Sequence, residues 1–105
     1  METIYEVNLF VRREIEKDYR AWLEMHIAEI LALPGFVDAR SFDVRQDEAG
    51  DEVAICVQYR LQSMTALENY FEQYGPRLRA DGVARFGDRF RASRRVLLNS
   101  RVFSS

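Results

Sequence analysis

At 105 residues, 48% apolar and with a net charge of −2, the chain has the length of one folded domain able to bury roughly two thirds of its unfolded surface. This composition excludes a disordered chain, and no apolar run approaches the ~20 residues of a membrane span. A single cysteine, Cys56, excludes an internal disulfide framework and fits a reducing compartment. Met1-Glu2-Thr3 leads straight into a strand-like run with no basic, cleavable leader, so a cytoplasmic location is expected.

Charge is unevenly spread. Met1 to Pro76 holds 15 acidic and 7 basic residues, whereas Arg77 to Ser105 holds 8 Arg against Asp81 and Asp88. An Arg-rich tail raises nucleic acid as a partner, but a pI near 5.4 lacks the basic excess of such domains. Neither a nucleic-acid nor a membrane partner is expected.

Residues 4–11 alternate with period two, Tyr5, Val7, Leu9 and Val11 on one face and Ile4, Glu6, Asn8 and Phe10 on the other, which predicts a strand. From Arg13 to Leu33 the period becomes helical: Ile15, Tyr19, Trp22, Leu23, Ile27, Ile30 and Leu31 form one stripe. Pro34-Gly35 ends this helix. Residues 36–46 read as a second strand whose halves are out of phase, which predicts a bulge near Arg40-Ser41. A polar connection, Gln46 to Asp51, leads to a third strand with Val53, Ile55, Val57, Tyr59 and Leu61 on one face and Ala54, Cys56, Gln58 and Arg60 on the other.

Ser63 or Thr65 is expected to cap a second helix, Thr65 with Glu68 in a capping box, with Leu67, Tyr70, Phe71 and Tyr74 as its stripe. Gly75-Pro76 interrupts it and starts a shorter helix closed by Gly87. Residues 89–103 read as a last strand carrying Phe90, Val96, Leu97, Leu98, Val102 and Phe103. The resulting order, βαββαβ, predicts an α+β, ferredoxin-like domain over 1–105, a four-stranded antiparallel sheet with its two main helices on one face. The other face, with Ile4, Glu6, Asn8, Phe10, Ala54, Cys56, Gln58 and Arg60, is too apolar for solvent and too polar for an ordinary core.

Trp22, His26, the Pro34-Gly35-Phe36 turn, Tyr59 and the Gly-Pro-Arg-Leu-Arg…Ala-Arg-Phe-Gly-Asp-Arg-Phe segment (75–90) resemble a small bacterial family of unknown function within the dimeric α+β barrel superfamily. The resemblance implies a homodimer in which two sheets meet face to face with helices outside. It brings no established activity. The superfamily includes cofactor-independent monooxygenases, haem degraders, muconolactone-isomerase-type enzymes, polyketide cyclases and ligand-sensing domains. Haem degraders rely on an Asn, a Trp and a His; here Asn8, Trp22 and His26 are present, but Trp22 and His26 share the first helix, so haem is not expected.

His26 is the only histidine and shares a helical face with Tyr19, Trp22 and Ile30. One reading makes it a general acid/base or hydrogen-bond anchor in a helix–sheet pocket lined by Tyr19, Trp22, Tyr59 and Tyr70. The plainer reading is a core-boundary histidine bonded to a backbone carbonyl or to Glu29. Arg77, at the start of the post-Pro76 helix, is a candidate for binding an anionic group, and Asn8 a candidate polar contact. No metal is expected, because one His and one Cys cannot make a zinc site, and no phosphate loop or dinucleotide fingerprint implies a cofactor. Cys56 reads as an inert apolar residue. The expectation is a homodimer binding a small apolar or aromatic molecule; the alternatives are a cofactor-independent enzyme with His26 as acid/base, and a structural dimer with a filled core.

Overall fold

Unbroken alternation makes the first strand, β1 (Thr3–Arg12). In the computed structural model, which describes residues 2–48 and 50–105, a 3₁₀ turn (Arg13–Ile15) leads into α1 (Glu16–Leu31). β2 (Phe36–Val44), β3 (Glu52–Leu61), α2 (Met64–Gln73), α3 (Gly75–Phe86) and β4 (Phe90–Leu98) follow. Met1, and Ala49 of the predicted polar connection, lie outside the described residues. The four strands form one antiparallel sheet in the order β2-β3-β1-β4. This is the ferredoxin-like α+β architecture, with the second helical segment divided at Gly75-Pro76.

The central strands pair in register, Tyr5 opposite Tyr59, Val7 opposite Val57 and Leu9 opposite Ile55. These residues face the helices and form the core with Tyr19, Leu23 and Ile30 of α1, Leu67 and Tyr70 of α2, and Leu78 and Phe86 of α3. The molecule is 18 Å along its thinnest axis, the depth of one helix layer on one sheet layer. The reverse face of the sheet therefore has no covering layer within the chain.

Local chemistry explains the boundaries. Ser63, in extended conformation, accepts a hydrogen bond from the Ala66 amide at 3.1 Å and caps α2. That position excludes the expected Thr65–Glu68 capping box, because Thr65 already lies inside the helix. Gly35 ends the α1–β2 turn at φ +86°, where a Cβ would stand 2.4 Å from the Ala66 Cβ. Only glycine lets this turn close onto α2. The bulge falls between Phe36 and Asp38, not at Arg40-Ser41. Beyond it Phe42 and Val44 point to the reverse face, while Asp43 reaches Arg20 of α1 at 3.0 Å. β4 stops at Leu98, and Val102 and Phe103, assigned to that strand from composition, are exposed beyond it. Among the described residues, no helix is long and apolar enough to cross a membrane.

Candidate functional site

A cavity of about 290 Å³ lies between α1, α3 and the helix-facing side of the sheet. Tyr19, Trp22, Leu23, His26 and Ile30 of α1 line it, together with Tyr5 and Val7 of β1, Tyr59 of β3, Tyr70 of α2, Leu78, Arg79 and Gly82 of α3, and Ala92 and Arg94 of β4. The helical stripe thus brings Tyr19, Trp22 and His26 together with Tyr59 and Tyr70. Trp22 and His26, four residues apart, stack with ring centroids 4.4 Å apart and an interplanar angle of 20°. Gly82 lets α3 approach this stack: a Cβ there would stand 3.0 Å from Trp22 Cη2.

His26 is half-buried and makes no hydrogen bond among the described residues, which departs from the backbone or Glu29 bond of the plainer sequence reading. Burial lowers its pKa below 6.5; nearby Arg94 acts in the same direction, and Glu29 and Asp81 oppose it. The imidazole is therefore neutral at pH 7, with nitrogens available as acceptor and donor.

Tyr5, Tyr19, Tyr59 and Tyr70 are each 3% exposed or less. The Tyr5 hydroxyl takes side-chain hydrogen bonds from Arg79 and Arg94, and among the described residues no side-chain polar atom is both sealed from solvent and without a partner. Burial raises the pKa of all four, Tyr70 to about 12, so they are neutral phenols able to donate or accept. An apolar concavity with a few convergent polar groups is the ordinary form of a small-molecule site.

Two of the residues singled out in the sequence lie elsewhere. Arg77 is exposed on the outside of α3, 3.8 Å from Glu29. Asn8 lies on the reverse face of the sheet, donating to Glu6 at 2.9 Å. Three arginines line the cavity, Arg79, Arg94 and Arg91, the last paired with Glu52. Arg94 had a readable signal: it falls in the helix-facing phase of β4 with Phe90, Ala92 and Val96, opposite Val7, where an apolar residue is the rule.

On the reverse face, Glu6 is 3% exposed and accepts from Arg95, Asn8 and Gln58. These bonds, Arg95 foremost, hold its carboxyl down to about 2. Around this network lie Ile4, Phe10, Phe42, Val44, Ala54 and Cys56, and burial pushes the Cys56 thiol up, so it is no thiolate nucleophile.

Several solved structures share this arrangement of four antiparallel strands with helices on one face, among them proteins described as an oxygenase and as a candidate antibiotic biosynthesis monooxygenase. SnoaB, a cofactor-independent oxygenase from Streptomyces nogalater, is 14% identical, with a TM-score of 0.67 and complete coverage of both chains. A candidate antibiotic biosynthesis monooxygenase from Deinococcus radiodurans is 10% identical, with a TM-score of 0.72 over 98% of this chain and 97% of that one. The de novo designed protein Foldit4 is 16% identical, with a TM-score of 0.67 over 95% of this chain and all of its own. Such likeness fixes the fold alone, since an oxygenase and a designed chain share it equally. The chain belongs to the family described as a domain of unknown function (DUF4286), matched over residues 2–100. No curated protein matches it.

Because the folded pKa of His26 is depressed, the unfolded chain binds that proton more readily. Its contribution to stability is complete above about pH 6.5 and is lost as pH falls through 6.5 toward the folded value. NMR titration of the His26 ring is expected to give a midpoint below 6.5. Urea unfolding at pH 7.5 and 5.5 is expected to show a smaller loss on acidification in His26→Gln than in the wild type. A midpoint at or above 6.5 contradicts the desolvated site.

Proposed function

We propose that this protein is a homodimeric α+β barrel that binds a small aromatic molecule in the cavity beside Trp22 and His26. One observation carries the ligand reading: the neutral phenols of Tyr19, Tyr59 and Tyr70 and the neutral imidazole of His26 line one apolar cavity beside the Arg-bonded phenol of Tyr5. A filled structural core would pack these atoms against one another, because unpaired polar groups are costly in an apolar setting. Ring-on-ring contact with Trp22 and the tyrosines would supply most of the affinity, and the hydroxyls would set orientation.

The homodimer reading rests on the reverse face of the sheet. Phe42 and Val44 are 38% and 42% exposed there, beside half-buried Ile4 and Phe10, and an apolar patch rimmed by charge is the usual mark of an interface. A second copy would cover it and leave the Glu6–Arg95 pair inside the barrel.

The neutral, unpartnered imidazole favours a second reading, a cofactor-independent enzyme. His26 would accept a proton from an acidic C–H or O–H of the bound molecule, and the phenols would donate to the resulting oxyanion.

Sedimentation velocity at micromolar concentration is expected to give twice the 12.3 kDa chain mass; a monomer contradicts the interface. For the ligand site, 2-naphthol at a hundredfold excess over its dissociation constant is expected to add about 2.7 kcal/mol of stability. Ala92→Phe, which places a ring in the cavity, is expected to abolish that gain while preserving the fold. No gain in the wild type, or an equal gain in the variant, contradicts binding there.

A further inference from the structure

Among the described residues, eight of the fourteen arginines have no carboxylate within 4 Å, and Arg79 and Arg94 are the two of these that line the cavity. Arg12, Arg20, Arg60, Arg77, Arg91 and Arg95 each have a carboxylate within 4 Å. Among the described residues, Arg79 and Arg94 have none. Shortage of acid is not the reason, since the chain holds 17 acidic against 15 basic residues. Within β4 the contrast is sharper. Arg91 and Arg95 pair with Glu52 and Glu6, whereas Arg94, on the opposite face of the strand, turns to the cavity.

Arg79 arrives from α3 and Arg94 from β4, and both guanidinium groups act on the Tyr5 phenol. They line the cavity mouth and continue into a second depression that also includes Phe71 and Val96. Two like charges converging on one phenol repel each other, and among the described residues neither has a carboxylate within 4 Å to offset this. A guanidinium pair presents several N–H donors to a planar oxyanion, and the tyrosine hydroxyl adds one more. Toward the Trp22–His26 stack the lining is aromatic, with the neutral imidazole close enough to Glu29 and Asp81 to feel their charge.

We infer that the ligand is an aromatic carboxylate whose anionic group is held by Arg79, Arg94 and Tyr5 while its ring lies toward Trp22. This rests on the ligand-binding reading above and adds the chemical class and the orientation. A cavity of about 290 Å³, at the lower limit of ligand pockets, suits one or two fused rings. Because both arginines stand at the open mouth, water screens them in the empty protein, and an anion entering the site displaces that water.

Calorimetric titration of the intact protein with 2-naphthoate and its uncharged isostere 2-naphthamide tests this. The carboxylate is expected to bind at least about tenfold more tightly, the value of one charge-assisted hydrogen bond. Arg79→Met and Arg94→Met are each expected to remove most of that advantage while leaving 2-naphthamide affinity unchanged, which also shows that the variants fold. Equal binding of the two probes, or a carboxylate preference indifferent to both substitutions, overturns the anion site and leaves the aromatic pocket standing. Binding of neither probe overturns the pocket and the anion site together.

Discussion

Everything in this molecule depends on one apolar strip, the helix-facing side of β1 and β3. Tyr5, Val7, Leu9 and Val11 lie directly opposite Tyr59, Val57, Ile55 and Val53, so the two strands present a single surface four pairs long. A register slip of one residue would turn this surface away from the helices and bring Glu6 and Asn8 beneath them. Ile15, Tyr19, Leu23 and Ile30 anchor α1 on this strip, Leu67 and Tyr70 anchor α2, and Leu78 anchors α3. The strip ends in aromatic rings that meet tilted or edge to face, Tyr5 with Tyr70 and Phe71 and Tyr19 with Phe86. Tyr5, Tyr19 and Tyr70 of these pairs also line the cavity.

The same sheet carries opposite solutions on its two sides. On the reverse face a buried carboxylate, Glu6, is satisfied by three donors, so its charge is retained at little cost. On the helix side the phenols of Tyr19, Tyr59 and Tyr70 and the His26 imidazole line the cavity instead. Polar groups that meet one another serve folding, whereas those that meet only a cavity are available to something else. Two arginines at the mouth extend this asymmetry.

Much of this was legible in the sequence because it is periodic. Alternation in β1 and β3, and the three-four spacing from Ile15 to Leu31, encode side-chain direction locally, and so placed Tyr19, Trp22, His26, Tyr59 and Tyr70 around one space. What was missed depends on register. A bulge at Val37 cannot be read from β2 alone, since its phase is set by pairing with β3. Val102 and Phe103 have strand composition but no neighbouring strand to pair with. Asn8 alternates onto the wrong face for the cavity, and Arg77 points away from it. Arg79 shares a helical face with Gly82 and Val83 at spacings of three and four. Arg94 interrupts an apolar phase; both signals were present, but only the sheet order shows that they converge.

That interruption makes the central claim testable without knowing the ligand. If the helix–sheet cavity is kept open for binding, Arg94 is there at a cost to packing, for it shares a strand phase with apolar Phe90, Ala92 and Val96 and shares the Tyr5 phenol with Arg79. Natural sites commonly carry such a cost. The decisive measurement is urea unfolding of Arg94→Val beside the wild type at one fixed protein concentration. The expected result is a variant more stable by about 0.5–1 kcal/mol, because a β-branched apolar residue suits this strand phase and a repulsion is removed. A variant less stable than the wild type would show that Arg94 serves the fold, and would contradict the claim.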